Sequence, residues 1–483
     1  MGIATWAKRK MQTWLEIIPP PIEQAITIQR EHTRELEVIQ AQLWYQGDAN
    51  ELFQFFHQTE LNTGMFWATS PADRKIRKIH SGLPAVIADT LAYIVTSDLD
   101  DIKAPEPWEE IEKSTNFHEL VGQAVTDTLV SGDGAFKISV DTKLSQYPIV
   151  EFVPGDRVEI EQKRGIVEAI TFKTRYYVKS MWYELHERYS RGRIETMLFD
   201  SNGSERSLSS VPDLAGIQPD VEFKGDFIMA VPLRFYASRK YRGRGKSIFD
   251  GGKSQCFDAL DEVISQWIDA IRAGRVIKYI PMSLIPRDPN TGAFQEVSSF
   301  GAEVVKLNGS LDERQAEMVE VSQPDIKYDA FVTTYTNALL MCLQGIISPA
   351  TLGIDVGKMS SAEAQREKKD ITGDTRNTIT AALEKQLPKL INAILMTYAN
   401  LRGEAPAEAE VNVSFGEYGA PDFDSRVETV GKAATYGIMS TESQVDELWG
   451  SSKEDNWKEA EVQRIKVEKG ILSASEPSVG GEP

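Results

Sequence analysis

Metal centres and disulfide frameworks have little to be built from in this sequence. It holds two cysteines, Cys256 and Cys342, and five histidines, His32, His57, His80, His118 and His186, in 483 residues. The cysteines fall in separate helical patterns, as small buried hydrophobes in a reducing compartment would. The histidines form no His-x-x-x-His or Cys–His cluster, so neither metal nor cofactor is expected. A Gly-x-Ser-x-Gly elbow is also missing, and no local pair of carboxylates is marked as acid and base, so no catalytic residue is expected. No run approaches the roughly 18 apolar residues of a membrane span. Residues 1–14 are amphipathic without the apolar core and cleavage site of a signal peptide. Position 6 is Trp where myristoylation needs Ser or Thr. A soluble, cytoplasmically made protein with no membrane partner is the expectation. Positive charge is short as well: 53 Lys and Arg face 72 Asp and Glu, a net −19. That argues against an outer surface that grips nucleic acid through phosphate contacts, but not against one past which nucleic acid slides.

What is present is ordinary globular material, 41% hydrophobic and 26% charged, long enough for two to four domains. The chain is organised around 326–402. Tyr328, Phe331, Tyr335, Leu339, Cys342 and Ile346 recur at spacings of three and four, one apolar face of a helix. Pro349, Gly353 and Gly357 break the pattern over 347–360. Ser360-Ser361-Ala362-Glu363 restarts it as a capping box. A helical pattern then runs from Ser361 to Arg402, on the order of 60 Å at ~1.5 Å per residue. A rod that long needs a large surface to lean on, and Gly373 and Pro388 are its expected bends.

Residues 1–131 read as mostly helical, with helices near 22–44, 49–59, 81–97 and 108–131. The basic run Arg74–Lys78 reads as a solvated face or a contact with another subunit. Ser131-Gly132-Asp133-Gly134 is a strong stop. Over 135–235 short β-branched and aromatic runs, 135–140, 149–153, 166–174, 182–189 and 194–199, alternate with turn clusters, so antiparallel hairpins are predicted, with a last strand at 227–236. Phe257, Leu260, Ile264, Trp267 and Ile271 form one face of a helix ending at Gly274, with Asp258, Asp261, Glu262 and Asp269 elsewhere on it. Residues 275–325 are an insert with strands at 276–280 and 303–307, whose ends should lie close together. A strand at 410–415 is predicted to return to the β region. Three short helices fill 423–470, with caps at Thr441 and Ser452 and Trp449 and Trp457 as packing anchors. The last dozen residues carry a disordered composition.

Two triplets, Gly245-Lys246-Ser247 and Gly252-Lys253-Ser254, invite a phosphate-binding reading. A P-loop needs a glycine five positions before the triplet's own; Lys240 and Ser247 stand there instead. A turn ahead of the Phe257 helix accounts for both.

The order of these pieces resembles the portal proteins of tailed bacteriophages, of the long-tailed type. The resemblance is carried by RKIRKIHSGLPAVIADTLAYIVTSD (74–98), LVSGDGAFKISV (129–140), GRGKSIFDGGKSQCFDALDEVISQWIDAIRAGRVIKYI (243–280), SSAEAQREKKDITGDTRNTIT (360–380) and 415–470 with Gly437-Ile438-Met439-Ser440. It implies an α+β fold and a ring, commonly of twelve copies, at one capsid vertex. Carried onto this numbering, 1–240 would be the wing, 241–274 and 326–346 the stem helices with their lead-in, 275–325 the clip and 347–360 the tunnel loop. Residues 361–422 would be the long kinked helix and returning strand, 423–470 the crown, and 471–483 a disordered tail. Stem packing would use Phe257, Leu260, Ile264, Trp267, Ile271, Tyr328, Phe331, Tyr335 and Leu339. The channel would be met by Ile354, Asp355, Val356, Gly357, Lys358, Met359 and Ser360. Arg287, Asp288, Asn290, Phe294, Asp312, Glu313 and Arg314 of the clip would dock the terminase large subunit and, later, a head–tail adaptor. Double-stranded DNA, the major capsid protein and scaffolding would be the remaining partners. A nucleotide-binding enzyme using the Gly-Lys-Ser region and a monomeric adaptor are the rival readings.

Overall fold

The computed structural model describes residues 33–58, 64–69, 76–250, 252–274, 276–281, 285, 287, 302–307, 320–322, 326–354, 362–416, 423–449, 455–468 and 470. They fall into two compact units divided between Phe415 and Gly416, and helix and sheet are mixed as expected of an α+β chain.

The first unit opens with helices α1 (Arg34–Gln46), α2 (Ala49–Gln58) and α3 (Leu83–Ser97), then strand β1 (Leu99–Lys103). Residues 22–32 of the first predicted helix lie outside the described residues. Instead of the single helix predicted over 108–131 there are two, α4 (Trp108–Thr115) and α5 (Phe117–Ser131). Asn116 between them takes a left-handed φ of 50°, a conformation asparagine tolerates and a helix interior does not. Helix α5 stops where the Ser131-Gly132 signal says, with Gly132 at φ 88°.

The sheets follow: β2 (Asp133–Ser139), β3 (Ile149–Pro154), β4 (Val158–Lys163), β5 (Ile166–Val178), β6 (Met181–Ser190), β7 (Arg193–Asp200), and the short β8 (Glu205–Arg206), β9 (Asp220–Glu222) and β10 (Ala230–Arg234). Strands β4 to β8 form an antiparallel meander with β9 also on β7, and β10–β2–β3 form a second sheet. The hairpin reading therefore holds, and β10 falls within the last predicted strand, although β4, β8 and β9 gave too few β-branched residues to be seen.

Helix α6 (Lys253–Ala273) and helix α7 (Tyr328–Leu343) bracket β11 (Val276–Pro281), β12 (Ala302–Leu307) and β13 (Glu320–Ser322). Strand β11 pairs parallel with β12 and antiparallel with β13. The two ends of the insert do meet: a Cβ on Gly274 would sit 2.6 Å from the Ile326 side chain.

Helix α8 (Ala362–Leu401) is 40 residues long, close to the predicted bounds, and continues through Gly373 and Pro388. Its Ile379, Leu383, Leu387, Leu390, Ile391 and Ile394 are completely buried in the same core as Trp44, Phe117 and Phe136. The rod thus leans on its own unit, which supplies the surface that its length demands. Strand β14 (Asn412–Phe415) pairs with β1, not with the β-rich region to which the sequence reading returned it; Leu99 and Ile102 give β1 the apolar contacts that a lone edge strand needs.

The second unit holds α9 (Phe423–Thr435), α10 (Thr441–Trp449) and α11 (Asp455–Glu468). Trp449 and Trp457 pack edge to face with ring centroids 5.7 Å apart, the anchor expected. The cap of α10 is Ser440 rather than Thr441: its hydroxyl accepts the Ser443 N–H at 3.2 Å. Ser452 lies outside the described residues.

Candidate channel loop and its anchors

Helices α6 and α7 meet through aromatic side chains. Trp267 of α6 lies parallel to Phe331 of α7 with centroids 6.1 Å apart, and Tyr328 and Tyr335 ring it at 6.0 and 6.2 Å. Phe257, Leu260 and Leu339 are buried and Ile264 half-buried, whereas Ile271 and Tyr328 are 51% and 61% exposed. Burial is thus greatest at the inner ends of the two helices and falls off towards Ile271 and Tyr328.

Two of the acids of α6 that lie off its apolar face are buried. Asp261 is fully buried and Asp258 nearly so. Asp258 accepts the backbone N–H groups of Phe66 and Trp67 at 2.8 and 3.0 Å. Asp261 takes Trp67 Nε1 at 3.1 Å, the Ser81 N–H at 2.9 Å and His80 Nδ1 at 2.7 Å. Two carboxylates three residues apart on one helix face thus tie Phe66, Trp67, His80 and Ser81 to α6. Burial raises the Asp258 carboxyl, opposed by the two N–H donors. Lys78 is not on a solvated face: its amine donates to the carbonyls of Phe66, Trp67 and Thr69 and lies over the Phe66 ring. Burial lowers it to about 8.

The glycine-rich lead-in is a clasp. Asp133, fully buried, accepts Arg244 Nε and Nη2, each at 2.9 Å, Arg34 Nη2, and the Gly245 N–H at 2.6 Å. A Cβ on Gly245 would lie 2.0 Å from the Gly132 carbonyl oxygen, and one on Gly155 would lie 2.2 Å from the Asp133 carboxylate. Glycine is therefore required so that Gly-Lys-Ser can lie against Ser-Gly-Asp-Gly. The second triplet is equally committed. Lys253 Nζ donates to Met341 O at 2.8 Å, Cys342 O at 3.1 Å and Gln344 O at 2.7 Å, capping the orphan carbonyls of α7. Burial lowers this amine.

Beyond that cap the chain turns at Gly345 (φ 72°) and makes a 3₁₀ turn over Pro349–Leu352. The far side of the turn is held by α8. Thr372 Oγ1 accepts the Ser348 N–H at 2.9 Å and meets Thr351 Oγ1 at 3.0 Å; Thr375 donates to Ile346 O at 2.7 Å. Arg376 beside them pairs with Asp98 at the end of α3. So the entry to the loop is fixed by one lysine from α6 and two threonines from α8. Ile354 is described and half-buried; Asp355, Val356, Gly357, Lys358, Met359 and Ser360 lie outside the described residues. Of the clip candidates Arg287 is exposed, and Asp288, Asn290, Phe294, Asp312, Glu313 and Arg314 lie outside them too. Cys342 is buried, with its thiol pushed up to about 12 by burial. Among the described residues no group of three or more His, Cys, Asp and Glu could hold a metal ion, and no helix is long and apolar enough to cross a membrane.

Residues 27–470 match the family described as phage portal protein, SPP1 Gp6-like. The chain belongs to that family. Portal proteins are structural rather than enzymatic, which agrees with the use of both Gly-Lys-Ser triplets as packing devices. No curated protein matches this portal chain. Among solved structures it is similar to the neck of a native gene transfer agent particle computed with C12 symmetry. The TM-score is 0.37 at 11% identity, over 76% of this chain and 90% of that one. The neck of the empty particle with C6 symmetry gives 0.37 at 12% over the same shares. The virion of the native gene transfer agent particle gives 0.33 at 11%, over 78% of this chain and 88% of that one.

Proposed function

We propose that this portal chain is one stave of a closed ring, expected to hold twelve copies, at one vertex of a phage capsid. Double-stranded DNA passes through the ring during genome packaging and again during ejection. In this reading 1–240 are wing, α6 and α7 stem, 275–325 clip, 347–360 tunnel loop and 423–470 crown. The clip receives the terminase motor during filling and a head–tail adaptor afterwards, while capsid and scaffolding proteins surround the wing.

The observation that carries the proposal is the pinned entry to the loop. Lys253 and Thr372 with Thr375 hold residues 344–351 between the stem and the long helix, so a short segment is presented from a rigid base. Charge supports it: twelve copies at −19 each total roughly −228, and acidic walls repel phosphates and favour sliding. Lys358 is the candidate for a transient phosphate contact. The nucleotide-enzyme reading loses its chemistry because the Lys253 amine is occupied by three carbonyls.

Negative-stain imaging and mass measurement of the purified protein test the ring: particles with an axial hole are expected, and a compact monomer at every concentration would sink the reading. Deleting Gly353–Met359 should leave rings intact while impairing DNA packaging or retention; normal filling and retention would remove the tunnel-loop assignment.

A further inference from the structure

Side-chain alternation divides the β5–β6 hairpin into two unlike faces. Tyr176, Val178, Tyr183 and Leu185 turn towards a small core with Leu198 and Leu214. Tyr177 and Trp182 turn the other way, 61% and 55% exposed, with ring centroids 4.9 Å apart. They stand beyond the end of the β7 ladder, which closes at Tyr183 opposite Asp200. The two-residue turn beneath them, Lys179-Ser180, has φ of 49° and 62°, a tight turn matched to the strand twist. On the same face the His186 and Phe199 rings lie 4.8 Å apart, and a cleft of about 580 Å³ opens beside Trp182. An exposed aromatic patch on a rigid hairpin marks an interaction surface.

The opposite face carries a second apolar feature at the other end of the same strands. Tyr189 and Ile194 line a groove of about 790 Å³ together with Val140, Ile217 and Val221, which are 41%, 40% and 37% exposed. Asp141 and Lys143 both stand on its lining and Lys179 is exposed at the hairpin turn, so Asp141 offers the tip's lysine an opposite charge. Trp182 and Tyr189 are seven residues apart on β6, ~24 Å at ~3.4 Å per residue. One chain cannot bring the two patches together, because a continuous ladder holds them apart.

A second copy can. Patches at opposite ends and on opposite faces of one sheet make a head-to-tail contact, the type that closes into rings. We propose that the Tyr177–Trp182 hairpin tip of each copy seats in the Val140–Ile217–Val221 groove of the next, with Lys179 towards Asp141. This rests on the ring reading above and names a junction within it.

The test uses full-length protein, mass photometry and negative-stain imaging. Wild type should give rings. Trp182→Arg and Ile217→Arg should each lower the ring population at least tenfold with unchanged circular dichroism and melting temperature. Should Trp182→Arg melt early, Tyr177→Asp serves in its place. Mixing the tip variant with the groove variant leaves one intact junction per pair, so dimers that grow no further are expected. Wild-type rings with equally abundant variant rings would overturn the junction alone, as would a mixture without dimers. Variant rings that form normally but no longer enter capsids would give the tip to the shell protein and overturn it too. A wild type that never forms rings would overturn the ring reading first, and this junction with it.

Discussion

Replacing Asp133 by Asn is the sharpest test of the clasp. The substitution keeps the size of the side chain and removes its charge. In the native site the carboxylate is fully buried and receives three guanidinium N–H groups and one backbone N–H. Arg34 and Arg244 are themselves only 12% and 13% exposed. Asparagine can satisfy some of these donors with its oxygen, but its amide turns two more N–H groups towards two cations. Losing about two charge-assisted bonds, each worth ~1.5–3 kcal/mol net, and leaving unpaired buried charge amounts to about 3–5 kcal/mol. Arg193 with Asp220 on the surface, equally bidentate at 2.8 Å, is the control, where solvent screening means that Arg193→Met should leave the unfolding midpoint nearly unchanged. Urea unfolding at fixed protein concentration, with tryptophan fluorescence as probe, reads both. An Asp133→Asn midpoint no lower than that of the surface control would refute the reasoning.

Gly245→Ala should be worse tolerated than Gly353→Ala, because its Cβ meets backbone at 2.0 Å while Gly353 faces open space; comparable soluble yield and melting temperature would contradict this. Lys253→Ala should destabilise by about 1–2 kcal/mol through the lost helix cap and speed amide exchange at 344–348. Unchanged exchange there, or loss of a genuine ATP turnover, would return the triplet to the phosphate reading. Lys78 has a folded value of about 8 against 10.5 unfolded, so over that window the unfolded chain holds more protons and stability from this group rises with pH. Lys78→Met should flatten the rise in unfolding midpoint between pH 8 and 10.5, and an identical slope in wild type and variant would rule it out.

The long helix α8, helices α6 and α7 and the hairpins were legible because each carries its own period over many residues. The Ser131-Gly132 stop was legible because glycine can take a φ of 88° at little steric cost. What the sequence hid were the polar contacts made at long range. Asp258 and Asp261 are only polar positions off the apolar face until Phe66, Trp67, His80 and Ser81 reach them. Asp133 looks like a turn residue until Arg34 arrives from 99 residues before it and Arg244 from 111 after. Glycines at 132, 155 and 245 were a signal available but not combined, since three of them mark backbones approaching closely. The loop candidates were placed by resemblance alone; the lysine and threonines that hold its entry carry no local pattern.

The pairing of β1 with β14 has a consequence for synthesis. Ile102 waits for Val413, so a ribosome must deliver more than three hundred further residues before that edge is covered. Until then the nascent chain offers unpaired backbone groups to any passing strand. A chain truncated before Asn412 should therefore aggregate, although it would keep nearly all the residues of the first unit's core.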